Sequence, residues 1–479
     1  MKNTTLRFVA ISAALLVLLR SFLPTFYESY FFDSDQAIVG LMARHLNSGH
    51  DFPLYYYGLN YLLGVQAWLI APVFALLRPT VLAMRVPLVA LNILVAVWLI
   101  ALLTRRMNLH PVLAFVAALP WLIPTPAVAA NLVEAAGASI EPFVYVLALW
   151  LLRKRSFLFG LLFGLAVLHR EFVMFAVPAL VLADMVTGEL WTMSNVRRAA
   201  IALCGAALVW LVIDDLKMHL SGASVGLQAA SLRGQTCVDG IGERIAALTR
   251  EALPMLYGGR SMSLQGFRID SPAAAGFAPI AWLVLVTLAF VAVRIAQNIR
   301  RIPRDRPDAA FGIYLFLVGL FTAGAYPLSC HVTYGGPPIL RYLLFGLLIP
   351  VGLFATYAAC EPSRRFRSVA TAAFVLWGAA NLVDNVRLIA LTARTPPLAE
   401  HRVLTDYLLS RQVRYTSAIY WDAYIVSFLS RERIIVASND VIRIPEYQKE
   451  VEAHAADAVN LQRQPCTGFA TVASWCLQR

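Results

Sequence analysis

The sequence predicts an all-α membrane protein that crosses the bilayer many times and ends in a small α/β domain. Of its 479 residues, 59% are hydrophobic and only 14% are charged, whereas soluble domains average roughly 25% charged residues. The apolar residues come in runs close to the ~20 residues of a transmembrane helix. Most basic residues lie in short clusters between these runs, so the net charge of +12 indicates membrane topology rather than nucleic-acid binding.

Twelve apolar segments are candidate spans. Several are shorter than the ~20 residues of a full crossing, and such helices are tolerated where protein or a water-filled cavity surrounds them. This favours an enzyme with a cavity or a transporter. Because Arg20 interrupts the first segment and no small-residue cleavage site follows it, we interpret that segment as a helix rather than a signal peptide. The segments are 7–27, 61–78, 86–104, 110–124, 140–152, 157–169, 172–186, 199–215, 274–293, 309–327, 339–358 and 368–389.

The basic clusters predict the orientation of these spans. Clusters at 294–306 and 364–367 are assigned to the cytoplasm, which places the loop 217–272 and the tail outside. A cytoplasmic N-terminus places 28–60 outside as well. The orientation counted from the N-terminus and the one counted back from the C-terminus agree only if one more membrane crossing is added. We assign this crossing to the weakly apolar segment 124–139. This gives thirteen helices within a predicted range of about 11–13.

We divide the chain into a transmembrane domain, 1–394, and an external α/β domain, 395–479. Residues 415–438 predict a strand, a short helix and a strand, and 446–460 have a polar helical pattern. A domain of about 80 residues is marginally stable alone, so we expect it to dock on the membrane face. Outside the cytoplasm disulfides persist. Cys466–Cys476 is the local pair, and Cys237–Cys330 would join two loops.

The segment 31–64, in the first external loop, holds the residues best suited to chemistry. Asp33 and Asp35 follow the first helix directly. A carboxylate at this position can accept a proton from an acceptor hydroxyl or hold a divalent cation, for which Asp35 is the candidate ligand. The alternative is a solvated loop acid that only caps the helix that follows, with Ser34 or Asp35 at the N-cap position.

Other ionisable residues lie at the predicted ends of short helices. Glu141 begins the helix 141–152, and His169, Arg170 and Glu171 form the apex of an outward hairpin. Ionisable groups are costly in lipid, so we expect them to face a cavity and contact a sugar or a phosphate. The alternatives are a favourable helix-dipole interaction for Glu141 and an interfacial turn for the other three.

A phosphate-bearing substrate needs a cation, and Arg binds phosphate with a bidentate fork. Arg341 is the first candidate because it opens a helix next to Tyr342, and Arg260 and Arg268 come next. Neither of the glycine-rich phosphate-loop patterns, GxxxxGK[ST] and GxGxxG, occurs. This disfavours a nucleotide substrate and favours a lipid-linked one.

The first external loop resembles that of the GT-C glycosyltransferases, nearest to bacterial relatives of the protein O-mannosyltransferases and the lipid A aminoarabinose transferases. The similar stretches are DSDQA at 33–37, RHL at 44–46, Gly49, Pro53, YGLNY at 57–61, LPMLYGGR at 253–260, RYLL at 341–344 and YWDAY at 420–424. The resemblance implies a catalytic acid at Asp35 supported by Asp33, and substrate contacts from Tyr57, Asn60 and Tyr61. The sequence departs from the family at Gln36 and Gln66, where relatives have acidic residues.

We therefore expect a glycosyltransferase of the bacterial inner membrane. It would move a sugar, with inversion, from a polyprenyl-phosphate donor to an extracytoplasmic glycan, lipid or protein. Membrane lipid, the donor and the acceptor are the expected partners, nucleic acid is not, and a divalent cation is the one candidate cofactor. A transporter or flippase of lipid-linked or small substrates, and a scaffold without activity, are the alternatives.

Overall fold

The fold is that of a computed structural model, in which residues 2–59, 61–186, 193–221, 235–258, 279–298, 308–336 and 338–478 are described. Its helices are α1 (Lys2–Phe26), α2 (Ser34–Ser48), α3 (Val65–Leu76), α4 (Val81–Arg106), α5 (Pro111–Leu122), α6 (Pro126–Asn131), α7 (Glu141–Leu152), α8 (Ser156–His169), α9 (Ala176–Val186), α10 (Met193–Ser221), α11 (Ile241–Ala247), α12 (Leu253–Tyr257), α13 (Pro279–Asn298), α14 (Asp308–Ala325), α15 (Leu348–Cys360), α16 (Arg364–Arg394), α17 (Glu400–Ser410), α18 (Tyr420–Leu429) and α19 (Pro445–Ala453).

The long apolar helices confirm a polytopic membrane fold. Within the described ranges, five helical segments are long and apolar enough to cross a bilayer: Thr4–Phe26, Val81–Arg106, Val196–Leu220, Ala309–Leu328 and Arg364–Arg394. Shorter apolar helices, such as α5 and α7, fill the bundle between them. Most side chains of α5 and α7 are buried, which fits the expectation that short spans lie against protein.

The predicted extra crossing at 124–139 is wrong. Only residues Pro126–Asn131 of this segment are helical, and a helix of that length rises about 9 Å, whereas the hydrocarbon core is about 30 Å thick. The backbone then turns through Gly137, which has a φ of 100°. The segment is apolar because it is buried inside the protein, and burial in protein and burial in lipid select the same composition.

A five-stranded sheet forms the core of the C-terminal region, which confirms the predicted α/β class there. The strand order is β2-β1-β3-β5-β4. Strand β1 pairs in parallel with β2 and β3, and β5 is antiparallel to β3 and β4. The strands are β1 (Tyr415–Ala418), β2 (Ile435–Ser438), β3 (Val459–Arg463), β4 (Ala470–Val472) and β5 (Trp475–Gln478).

The parallel pairing of β1 and β2 decides what this region presents to the membrane helices. Helix α18 begins at Tyr420, directly after β1, and Arg443 follows β2. Because the carboxyl ends of parallel strands meet at one edge, both residues lie at the same edge of the sheet. The predicted docking is observed, since Arg402 donates to Glu28 beside α1 through two bonds of 2.9 and 2.7 Å.

Two disulfides link segments that were predicted to lie outside the cytoplasm. Cys466–Cys476 joins the loop between β3 and β4 to β5, and Cys237–Cys330 joins two segments that are 93 residues apart. Both predicted pairings are confirmed. Beside the second disulfide, Thr236 pairs with Ser329 as an isolated β-bridge.

The carboxylate of Asp422 organises the core of the C-terminal region. Its side chain is fully buried and accepts hydrogen bonds from His401 Nε2 (2.9 Å), Arg463 Nε (3.0 Å) and Trp475 Nε1 (3.0 Å). Burial by itself raises the pKa of Asp422, but these three donors outweigh it and hold the pKa well below its ordinary value.

We predict that Asp422→Asn destabilises this region by about 3 kcal/mol at pH 7, because it breaks a buried ion pair. A lowered folded-state pKa contributes stability that is complete above the unfolded value near 3.9 and is lost as the pH falls below it. Hydrogen exchange of β1, β3 and β5 measures this stability in wild type and variant at pH 7 and pH 3. The variant should be less protected than the wild type at pH 7, and the difference in protection should be smaller at pH 3. An equal difference at both pH values would contradict the stabilising role of the Asp422 carboxylate.

Candidate active site

A buried arginine shapes the turn that carries the predicted acids. Arg85, inside α4, donates to Tyr30 O at 3.2 Å and to Phe31 O at 2.6 Å, and Phe31 has a positive φ of 57°. The same guanidinium donates to Gln36 Oε1 at 3.1 Å. An arginine in an apolar helix must find acceptors, so Arg85 fixes the loop and, through Gln36, the first turn of α2.

Asp33 caps α2. Its Oδ1 accepts from the Gln36 backbone N–H at 3.0 Å, so the N-cap is Asp33 and not Ser34 or Asp35, which leaves the Asp35 side chain free for other contacts. Burial raises the pKa of Asp33 to about 6, and the nearby Asp35 carboxylate adds to this rise. Asp33 therefore supports the helix whose first turn presents Asp35.

Asp35 lies where three distant segments meet. Its Oδ2 accepts from Arg341 Nη1 at 2.9 Å, and its Oδ1 accepts from the Tyr420 hydroxyl of α18. Tyr56, in the first loop, donates its hydroxyl to the Asp35 carbonyl oxygen at 2.9 Å. The Asp35 side chain is 16% exposed and that of Arg341 28%, so the pair is sheltered but open to a ligand.

Glu134 brings a third acid to the same place. It lies buried in the loop between α6 and α7. Burial raises its pKa to about 8, with a further contribution from Asp33, while Arg341 acts in the opposite direction. For Arg341, burial lowers the pKa, but the charges of Glu134 and Asp35 outweigh it and leave the pKa above its usual range. Arg341 is thus the main counter-charge for this cluster.

A narrow pocket opens beside Arg341. The guanidinium of Arg170 lies 5.6 Å from the Tyr342 ring centroid, as does that of Arg341. The Nε atoms of both arginines are buried without a hydrogen-bond acceptor among the described residues. Two arginines with unused donors fit an anion such as a phosphate. The pocket is lined by Ala138, Ser139, Pro142, Phe143, Arg170, Phe172, Thr322, Arg341, Tyr342, Leu344 and Phe345.

Two of the predicted residues hold the loop that forms one wall of this pocket. His169 Nε2 donates to Gly137 O at 2.7 Å, and its Nδ1 lies 2.9 Å from the Tyr145 hydroxyl. Glu141 Oε2 accepts from Gln66 Nε2 at 3.1 Å, and Gln66 Oε1 accepts from Gly137 N–H at 2.7 Å. The amide of Gln66 donates and accepts at once, which a carboxylate at this position could not do.

The other predicted residues lie apart from the Asp35 carboxylate or outside the described ranges. The Tyr57 hydroxyl contacts His45 Nδ1 at 2.8 Å and Asp51 Oδ2 at 3.0 Å, and Tyr61 accepts from Gln235 at 2.9 Å. Glu171 is half-buried at the start of the 3-10 helix Glu171–Phe175. Residues outside the described ranges are Asn60, Arg260 and Arg268.

The sequence reasoning missed two residues of the C-terminal region. Tyr420 bonds Asp35, and the guanidinium of Arg443 lies 5.7 Å from the Tyr420 ring centroid and 5.8 Å from that of Tyr56. Tyr420 belongs to the YWDAY stretch already noted, but no sequence pattern places that stretch against residue 35. Arg85 carried a usable signal, since an arginine inside an apolar run marks a functional or structural polar site.

The donor set does not fit a divalent cation. No group of three or more His, Cys, Asp or Glu side chains close enough to hold a metal occurs in the described part of the chain. One oxygen of Asp35 is bound by a guanidinium and the other by a phenol, and a cation would have to displace Arg341. The mechanism proposed below therefore uses no metal ion.

Comparison with solved structures identifies the class of fold. ArnT from Cupriavidus metallidurans, bound to undecaprenyl phosphate, has a TM-score of 0.57 at 12% identity, over 95% of this chain and 93% of that one. ArnT from Cupriavidus metallidurans in the apo state has a TM-score of 0.52 at 14% identity, over 96% of this chain and 89% of that one. The Archaeoglobus fulgidus oligosaccharyltransferase in the apo form has a TM-score of 0.53 at 12% identity, over 96% of this chain and 69% of that one.

These similarities show that the chain has the GT-C membrane fold, as the first-loop motif predicted. They extend over nearly the whole chain, including the C-terminal region. Comparisons with protein-family models and with curated proteins find no match.

We predict that His169→Phe loosens the loop 132–140, because it leaves the Tyr145 hydroxyl and the Gly137 carbonyl buried and unpaired. Each loss costs about 1–3 kcal/mol, so the free energy of unfolding in detergent should fall by about 2–6 kcal/mol. Tyr145→Phe removes one of the two bonds and should cost less. Equal thermal stability of wild type and His169→Phe would contradict the supporting role.

Proposed function

We propose that this chain is a glycosyltransferase that takes its sugar from a polyprenyl-phosphate donor. The single observation that carries the proposal is the Asp35–Arg341 pair at the edge of a two-arginine pocket. The pair supplies a carboxylate for an acceptor hydroxyl, and the pocket supplies cations for a leaving phosphate. The undecaprenyl phosphate bound by ArnT, which shares the fold, supports a donor of this class.

In this mechanism the donor phosphate binds to Arg341 and Arg170. Each guanidinium has unused donors, and phosphate accepts them in bidentate geometry. As Arg341 turns to the phosphate, it releases Asp35 Oδ2. The exchange places a free carboxylate oxygen next to a neutralised leaving group, so donor binding itself prepares the site.

The transfer is then a single displacement. The acceptor hydroxyl oxygen attacks the anomeric carbon, the bond from that carbon to the phosphate oxygen breaks, and the hydroxyl proton passes to Asp35. The products are a glycosylated acceptor with inverted configuration and a polyprenyl phosphate held by the two arginines. Asp33 contributes by capping α2 and holding Asp35 in place.

The proposed location is a bacterial inner membrane, with the site on the outer face. The two disulfides support an oxidising compartment for the loop at 235–258 and for the C-terminal region. We keep 1–394 as the transmembrane domain, with the N-terminus in the cytoplasm, and 395–479 as the external one. The segment 124–139 no longer supports this orientation. The orientation is supported by the contact of the C-terminal region with the first loop, from Arg402 to Glu28 and from Tyr420 to Asp35, which puts both on one side of the membrane. The acceptor is then an extracytoplasmic hydroxyl on a glycan, a lipid or a protein.

We predict that Asp35→Asn lowers transfer by at least about 100-fold, the usual scale of general-base catalysis. The assay measures release of polyprenyl phosphate by purified protein given a panel of polyprenyl-phosphate sugars and an acceptor mixture. The control is Asp51→Asn, since Asp51 is an exposed loop acid bonded to Tyr57. Wild-type activity in Asp35→Asn would refute Asp35 as the catalytic base. If the chain were a transporter, it would release no polyprenyl phosphate with any donor.

We predict that Arg341→Ala and Arg170→Ala each weaken binding of undecaprenyl phosphate by about tenfold or more, because each removes a charge-assisted contact worth roughly 1.5–3 kcal/mol. Ligand-induced thermal stabilisation in detergent measures the affinity. Arg414→Ala, at an exposed arginine directly before β1, is the matched control. Unchanged stabilisation in both pocket variants would refute the phosphate site.

A further inference from the structure

One helix of the C-terminal region runs against the helix that carries Asp35. Helix α18 is buried along its whole length except Trp421. Midway along the contact, the Phe428 ring lies so close to Gly40 of α2 that a Cβ at Gly40 would come within 2.5 Å of it. The rings of Phe32 and Phe74 lie 5.8 and 6.4 Å from that of Phe428. This apolar contact fixes the separation of the two helices.

Polar contacts tie both ends of α2 to the same region. At its start, Ser34 Oγ donates to Tyr420 O at 2.5 Å, next to the bond from the Tyr420 hydroxyl to Asp35. At its end, Arg44 and His45 contact the Glu432 carboxylate, the latter at 2.7 Å. The turn of the first loop is held too, since Arg443 donates to Gly58 O at 3.2 Å.

We propose that the C-terminal domain is a working part of the active site, in which α18 clamps α2 and Tyr420 is a positioning residue for Asp35. This inference rests on the proposed glycosyltransferase function. A domain that served only as an external cover would have no need to donate a hydrogen bond to the reacting carboxylate. The bond joins residues 385 positions apart in the chain.

The geometry gives Tyr420 a defined task. Arg341 holds Oδ2 of Asp35 and Tyr420 holds Oδ1. When a donor phosphate draws Arg341 away, Tyr420 keeps the carboxylate oriented through Oδ1, and Oδ2 becomes free to receive the acceptor proton. The titratable and charged groups that face Asp35 are Asp33, Glu134, Arg341, Tyr56, Tyr420 and Arg443.

The test is Tyr420→Phe, which keeps the ring and removes only the donor. A hydrogen bond to a carboxylate favours its ionised form. Without it, the acidic limb of the pH profile of kcat should move to higher pH by roughly one unit, with kcat at neutral pH reduced about tenfold. The KM for the donor should stay the same, since the phosphate contacts are intact. If Tyr420 had only a structural role, its replacement would not shift the acidic limb of the pH profile of kcat.

Two further variants complete the design. Trp421→Phe, at the exposed neighbour on the same helix, should leave the pH profile unchanged. Glu432→Gln loosens the far end of the clamp without touching Asp35, so it should raise hydrogen exchange in residues 34–48 and leave the acidic limb in place. Tyr420→Phe should also raise exchange at the start of that segment.

The readouts separate this inference from the function on which it rests. If the wild type releases polyprenyl phosphate but Tyr420→Phe keeps the wild-type pH profile, the positioning role is overturned and the enzyme assignment stands. If the wild type releases none with any donor, the enzyme assignment fails. Hydrogen exchange then decides the clamp: unchanged protection of residues 34–48 in Tyr420→Phe and Glu432→Gln overturns it.

Discussion

The ion pair between Asp35 and Arg341 is the contact on which the rest of the site depends. Asp33, Asp35 and Glu134 bring acidic groups into one sheltered region, where burial and the neighbouring acids raise the pKa of Asp33 and Glu134 and Arg341 opposes that rise. Arg341 compensates this cluster from the 3-10 helix Leu340–Tyr342. The pair joins α2 to a segment 306 positions further along the chain, so the fold and the proposed chemistry share one interaction.

Much of this could be predicted from local sequence. Apolar runs predicted the membrane helices, the resemblance of the DSDQA stretch pointed to Asp35, and Arg341 was expected as a phosphate ligand. That Asp35 and Arg341 form an ion pair was not predicted. The segment 124–139 could not be judged in the same way, because a loop buried in protein has the composition of a weak membrane span. The glutamines that depart from the family, Gln36 and Gln66, have physical reasons, since each amide donates and accepts within a buried loop.

The contacts of the C-terminal region could not be predicted. Tyr420 and Glu432 reach α2 because Tyr420 begins α18 and Glu432 lies just beyond its end, and α18 connects β1 to β2 and packs along α2 at Gly40. Such pairings depend on tertiary packing, which leaves no periodicity in one sequence. The expectation that a small domain must dock followed from its size, but size does not specify which residues make the contact.

The most direct test of the central claim is an experimental structure of the chain with undecaprenyl phosphate bound. The account predicts that the phosphate contacts Arg341 and Arg170, that Arg341 has left Asp35 Oδ2, and that Tyr420 still holds Oδ1. A phosphate bound elsewhere, with the Asp35–Arg341 pair intact, would contradict it.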